Sequence, residues 1–379
     1  MEFTTQERDR RYEAIRSGME KEGLDGLIVY GTTGVGGRWN GNFVYLADRC
    51  LFYGDALIFF PFDKDPVIFI SGENQYLEAR RTPWIADIRM TRQPATDLCT
   101  HLSSHNSTEG KIGVSSFAGL PAEIARQLRT QLPNVEFVES SELIFAGREN
   151  KSGEELLVAR HGAAVGDAGF RRSLEILRPG VTELEWKAEV EGVMTKGGAD
   201  GGFNMLGTGR AADEDDPFRG FVTPPTERKF QKGDLVLLEI TPRVKGYYNQ
   251  IVRLVSLGEP PAYMKKAHAA CLDAKHSALA KLKPGETFTT VAKALNDTLI
   301  KHGYAMKGIG SAHTIGLDLS ESFINLDNGR KVEPGFLVTI HPMVATGDWR
   351  QLFIGETFFV HAAGLEALNK AGEEIAILD

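Results

Sequence analysis

Residues Lys232–Arg253 read KGDLVLLEITPRVKGYYNQIVR. A Gly-Asp turn leads into an unbroken apolar run, Leu235 to Leu238, the pattern of a strand buried on both faces. The run ends at a carboxylate, Glu239. Pro242 and Gly246 follow, then a second strand carrying Tyr247, Tyr248, Asn249, Gln250 and Arg253. About a hundred residues later, Pro334–Val344 reads PGFLVTIHPMV. Gly233 to Glu239 is six positions, and so is Gly335 to His341. Each ionisable residue ends a buried strand, and each is soon followed by proline.

The repeat extends upstream. LRPGVT begins at Leu177 and LKPGET at Leu282, and each precedes a helical stretch ending near a lysine, Lys196 or Lys301, nineteen residues from the leucine. The order helix, Pro-Gly turn, helix, two strands thus occurs twice. A period near one hundred residues is too long for a solenoid and suits two similar halves related by a pseudo-twofold, with Glu239 and His341 in matching places.

A chain of 379 residues is long for one core, so two domains are expected. The net charge of −8 argues against a nucleic-acid partner, which requires a basic face. No apolar run approaches the ~20 residues that span a bilayer, and the charged opening residues do not read as a signal peptide, so no membrane partner is expected. Cys50, Cys99 and Cys271 have neither ligand nor redox spacing, which suits a reducing cytoplasm.

Residues 1–148 alternate helical and strand patterns and read as an α/β domain. Residues 6–22 are amphipathic, and GLIVYG, ALIFFP, PVIFIS, KIGVSS and VEFVES read as strands, with PAEIARQLRTQL helical. The glycines between Gly31 and Gly41 have no phosphate-loop spacing and read as a mobile or ligand-facing loop. Residues 149–379 form the second domain. Ser152 with Glu155, and Thr182 with Glu185, are capping boxes opening its first two helices. Asp213–Asp216 is acidic: a solvated loop, or a lid drawing a cationic ligand.

Four ionisable residues are candidates for one cleft: Glu239 and His341 from the repeat, His313 in a glycine-flanked turn (GIGSAHTIGLD), and Glu356 after Gly355. Histidine exchanges protons near neutrality, so His313 and His341 suit acid–base work. Glu239 suits proton transfer or holding a substrate cation. The bland alternative is a buried Glu–His pair tying the halves together. The remaining histidines, among them His105, are read as structural or surface residues.

At these residues the chain resembles the creatinase, prolidase and methionine aminopeptidase superfamily, which implies a pita-bread fold, α+β with an internal repeat, behind an α/β N-terminal domain. The peptidases of that superfamily hold two metal ions on two Asp, one His and two Glu. By the resemblance these positions fall at Glu239, Gln250, His313, His341 and Gly355, and a catalytic histidine falls at Val222. Only His313 is retained. What the resemblance implies is therefore a creatinase-like hydrolase that cleaves a C–N bond in a small amidine, guanidino or amide substrate without metal. Glu239, His313, His341 and Glu356 would be catalytic, with Glu356 orienting a histidine. Tyr247, Tyr248, Asn249, Gln250 and Arg253 would contact substrate. The alternatives are one divalent metal in a rebuilt Glu/His site, serving a hydrolase or a lyase, and a non-catalytic binder of small molecules or peptides on a peptidase fold. A homodimer is also implied, with Arg38, Trp39 and Phe52 reaching towards the partner's cleft.

Overall fold

The computed structural model describes residues 2–33, 40–81, 84–104, 108–210, 218, 220–304, 311–347 and 350–379. The chain divides into two compact units, residues 1–149 with Leu317–Leu319, and residues 150–316 with 320–379.

In chain order the first unit contains α1 (Thr5–Glu22), β1 (Gly26–Thr32), α2 (Asn40–Ala47), β2 (Asp55–Pro61), β3 (Val67–Ser71), α3 (Glu73–Ala79), β4 (Asp87–Thr91), α4 (Pro94–Ser104), β5 (Gly110–Ser115), α5 (Ala122–Gln131), β6 (Val135–Glu139) and α6 (Ser141–Glu149). Its six strands run in the order β4-β3-β2-β1-β5-β6. β1 pairs antiparallel with β2 and parallel with β5, so the sheet is mixed. Helix α1 starts at Thr4, whose hydroxyl accepts from the Glu7 amide, and stops at Gly23 in the left-handed region. Helix α2 escapes a periodicity reading because every residue from Gly41 to Ala47 is buried and no polar face alternates with the apolar one. Asp318 belongs to this unit: it pairs with the buried Arg148 at 2.7 Å and accepts from the Gly41 amide at 3.1 Å. A Cβ at Gly41 would sit 2.3 Å from the Arg148 guanidinium, so a side chain there would push that group off Asp318.

The second unit contains α7 (Gly153–Ile176), α8 (Glu183–Lys196), β7 (Gly201–Arg210), β8 (Asp234–Val244), β9 (Tyr247–Tyr248), β10 (Ile251–Leu257), α9 (Ala262–Lys281), α10 (Phe288–Lys301), β11 (Ala312–Thr314), β12 (Leu337–Ile340), β13 (Met343–Gly347), β14 (Arg350–Phe353), β15 (Gly355–His361), β16 (Gly364–Ala367) and β17 (Ala376–Leu378). The spine of its main sheet is β11-β12-β15-β10-β8-β7. β8 is almost wholly buried, as its apolar run requires. Both capping boxes form as read, at Ser152 and at Thr182.

The internal repeat recurs in detail. Gly180 and Gly285 both have positive φ, +93° and +92°, and their amides donate to the carbonyls of Phe230 and Val332. Thr182 and Thr287 each cap the following helix and each bridge a later lysine, Lys229 or Lys331. Gly233 and Gly335 then turn the chain into β8 and β12 with φ of +87° and +95°. Two copies of one hydrogen-bonded frame therefore deliver Glu239 and His341 to equivalent ends of the sheet.

A Cβ at Gly180 or Gly285 would meet no atom within 4 Å, so replacing either tests backbone conformation alone. Gly180→Ala and Gly285→Ala should each lower unfolding free energy by about 1–3 kcal/mol in denaturant titrations. One neutral and one costly change would mean that the two turns are not equivalent.

Candidate active site

Side chains of directly paired residues share a sheet face, and successive residues alternate between faces. Val252 on β10 pairs with Glu239 on one side and with Gly355 on the other. Ile340 pairs with Glu356, so His341 stands beside Gly355. Glu239, Val252, Gly355 and His341 therefore form one row across four strands. The adjoining row on the same face runs Thr241, Gln250, Thr357, Thr339 and His313, fixed by the Ile251–Glu356, Thr339–Thr357 and His313–Thr339 pairs. Three strand spacings separate the backbones of Glu239 and His341 by roughly 14 Å before curvature. The floor between them is Val252 and a residue with no side chain, Gly355.

Polar contacts follow these rows. Gln250 Nε2 donates to Glu239 Oε1 at 2.6 Å. The Thr357 hydroxyl lies 3.2 Å from the Thr339 hydroxyl and holds the backbone of Gln250. His313 Nδ1 lies 3.0 Å from the Thr314 carbonyl oxygen, and its Nε2 faces His341 Nε2 at 3.2 Å. Phe323 and Phe353 stand edge-on to the two imidazoles. Burial pushes the Glu239 carboxyl up to about 7, with the Gln250 hydrogen bond pulling weakly the other way. Burial lowers His313 to about 4, and burial followed by repulsion from His313 lowers His341 to about 3. Near neutrality this face thus carries one carboxylate poised to titrate and two uncharged imidazoles. Gln250 Oε1, His341 Nδ1 and the Thr241 hydroxyl, all buried on this face, have no hydrogen-bond partner among the described residues.

Several sequence expectations are corrected by the alternation. Glu356 lies on the opposite face, where Lys275 Nζ of α9 contacts it at 2.7 Å and Arg253 Nη1 at 2.8 Å. It orients no histidine. The Nη1 hydrogens of Arg253 are directed at the Val252 and Gly355 carbonyls, while Nε and Nη2 donate to Gly372 and Ala371, so this guanidinium is a structural tie. Asn249 is likewise turned to the α7 side, where Gly166 leaves room for it, and accepts from Asn369. Tyr247 donates to Glu155 Oε1 at 2.5 Å inside the first capping box, and Tyr248 lies under the Arg243 guanidinium. Of the five expected substrate contacts, Gln250, opposite Thr241, and Tyr248, opposite Arg243, fall on the Glu239 face. Thr241, Thr339 and Thr357 were missed, although counting in twos from Glu239, His341 and Gly355 reaches all three. Lys275 gave no signal, being one lysine among many on a helix. Val222 packs against the apolar core. Asp213–Asp216, His105, Arg38 and Trp39 lie outside the described residues. Phe52 is 56% exposed.

Residues 158–362 match metallopeptidase family M24, and residues 11–149 match the creatinase/prolidase N-terminal domain. An uncharacterized hydrolase/peptidase, y4tL, of Sinorhizobium fredii is 30% identical over 274 residues, which cover 68% of this chain and 66% of that protein. The creatinase of a Bacillus species is 26% identical over 64% of this chain and 61% of its own length. The ectoine hydrolase of Halomonas elongata is 24% identical over 97% of this chain and 96% of its own. Among solved structures, the X-Pro aminopeptidase of Thermotoga maritima superposes with a TM-score of 0.84 at 19% identity, covering 97% of this chain and 99% of that one. The Xaa-Pro dipeptidase of Bacillus anthracis gives 0.82 at 22%, covering 98% and 100%. The fold is the two-domain prolidase arrangement, with a pita-bread second domain.

The raised carboxyl has a thermodynamic signature. Unfolded, Glu239 ionises near pH ~4.3; folded, it holds its proton up to about 7. Its contribution to stability is present below the lower value and is lost as pH rises through the upper one. The stability of Glu239→Gln relative to wild type should therefore grow by about 4 kcal/mol between those limits and level above them. The histidine contributions run the other way, present above ~6.5 and lost on acidification, but they are common to both proteins and cancel. A pH-independent difference in denaturant titrations would show that Glu239 ionises as an ordinary carboxylate.

Proposed function

The chain belongs to metallopeptidase family M24, and from that premise we propose that it hydrolyses a C–N bond of a small amidine, guanidino or amide compound without a metal ion. The observation that carries this reading is the acceptor-rich face: the Glu239 carboxylate and Gln250 Oε1 at one end, and at the other His341 Nδ1, which has no hydrogen-bond partner among the described residues. Such a face complements a ligand rich in N–H donors. Relatives that bear the names creatinase and ectoine hydrolase support a small-molecule substrate.

The donor set does not suit the family's pair of metal ions. A di-metal cluster needs several carboxylates to offset its charge. Here one carboxylate stands on the face, and its neighbour is an amide that donates to it. The two imidazoles direct their Nε2 atoms at each other. A Cβ at Gly355 would lie 1.9 Å from the Ile340 carbonyl oxygen, so the backbone has closed over the position of the last ligand. Of the alternative single-metal set, Glu356 faces away and is held by two cations, which leaves Glu239, His313 and His341. Among the described residues no three His, Cys, Asp or Glu side chains converge as a metal ion requires.

In the proposed reaction the substrate's N–H groups are bound by Glu239 and Gln250. The histidine pair handles the proton that moves from water to the departing nitrogen.

Chelator-dialysed protein should release ammonia or amine from at least one member of a panel of guanidines, amidines and amides. Glu239→Gln and His341→Ala should lower that turnover by about 100-fold or more while leaving the circular dichroism spectrum unchanged. Turnover that requires added manganese or cobalt, or that survives both substitutions, would contradict the proposal.

A further inference from the structure

Asn249 and Gln250 form the corner between β9 and β10, and a side chain rather than a neighbouring strand holds the Gln250 main chain there. The Thr357 hydroxyl accepts from the Gln250 amide at 3.2 Å and lies 3.2 Å from the Gln250 carbonyl oxygen. A carbonyl oxygen only accepts, so the hydroxyl donates to it. In the 3.2 Å contact with Thr339, Thr357 is then the acceptor. Its one hydrogen and both lone pairs are used.

Thr357 is held in turn by the segment that follows β16. Its amide donates to Asn369 Oδ1 at 3.3 Å, and its carbonyl accepts from the Leu368 amide at 3.1 Å. Asn369 Nδ2 faces Asn249 Oδ1 at 3.2 Å, Asp167 Oδ1 at 3.1 Å and the Ala163 carbonyl at 3.3 Å. Two hydrogens serve these three acceptors, so one is shared. The partners settle the orientation of the amide: an N–H meets its oxygen, and acceptors meet its nitrogen. Asp167 also takes the Lys370 amide, on Oδ2 at 2.6 Å. Asn369 is 5% exposed, so water does not readily replace these bonds. One buried side chain thus ties both the residue before Gln250 and the residue that grips Gln250.

We infer that Asn369 is a positioning residue for the Glu239–Gln250 end of the candidate active site. The inference rests on the hydrolytic reading above. With the corner fixed, Gln250 Nε2 stays on Glu239 Oε1 at 2.6 Å, and Gln250 Oε1 is left for a substrate N–H. Loss of Asn369 removes one tie from Asn249 and one from Thr357, and Gln250 is free to swing off Glu239. Substrate binding then weakens, while the groups that move the proton stand at the far end of the row and keep their places. The signature is a raised KM at nearly constant kcat. A residue that served only the fold would lower the fraction of active protein, and with it the apparent kcat, at constant KM.

Nitrogen-15 NMR of the glutamine-labelled full chain reads the Gln250 side-chain amide without any substrate, as the resonance missing from Gln250→Leu. Its proton donated to Glu239 should lie downfield in wild type and return towards the free-amide position in Asn369→Ala. Thr357→Val keeps the side-chain shape, deletes the hydroxyl and should do the same. On a substrate identified from the panel, both variants should raise KM about tenfold or more, with kcat within about threefold of wild type. An unmoved Gln250 resonance in either folded variant would overturn the inference, and so would a fall in kcat at constant KM. Should Asn369→Ala not fold, Thr357→Val still decides whether the tie reaches Gln250. If the wild-type chain turns over nothing in the panel, it is the hydrolase reading that fails, and the resonance alone decides the positioning.

Discussion

The close backbone approach at Gly355, in the main sheet of the second unit, is the constraint on which the remainder depends. At Gly355 the backbone approaches β12 so nearly that any side chain would strike the Ile340 carbonyl at 1.9 Å. Strand alternation places the next carboxylate, Glu356, on the other face, where burial obliges it to find cations. Lys275, fully buried, and Arg253 supply them, and Glu373 adds a second carboxylate to Lys275 at 3.0 Å. Removing one member of such a network leaves an uncompensated charge in the core, which explains why so many ionised groups occur together there.

The opposite face has followed a different course. This face holds one carboxylate that burial pushes up to about 7 and a pair of uncharged rings. The polar groups kept are Gln, His and Thr rather than aliphatic side chains. Burying them costs free energy unless partners are supplied, and several acceptors have none among the described residues. A ligand with N–H groups would supply them, which is the physical content of the assignment to small nitrogenous substrates.

Much of this architecture was legible before any coordinates. The two L-x-P-G turns, the six-residue spacing from glycine to ionisable residue, and the capping boxes at Ser152 and Thr182 are local features, and local hydrogen bonds enforce them. Glu239, Gln250, His313 and His341 share a face because strand alternation carries their side chains there. Reading Glu356 and Arg253 as site residues ignored that same alternation, since each is one residue out of step with its strand's inward positions. Tyr247 was misread for another reason: its partner, Glu155, is distant in sequence and was already engaged as a helix cap. Helix α2, without a polar face, had no periodic signal to offer.

The central claim is that this sheet face does its chemistry with protein groups alone. Calorimetric titration of the chelator-treated chain with manganese(II) or cobalt(II) tests it most directly. The account predicts no stoichiometric binding, and identical heats for wild type and Glu239→Gln. Two equivalents bound tightly, and lost on substitution of Glu239 or His313, would contradict it.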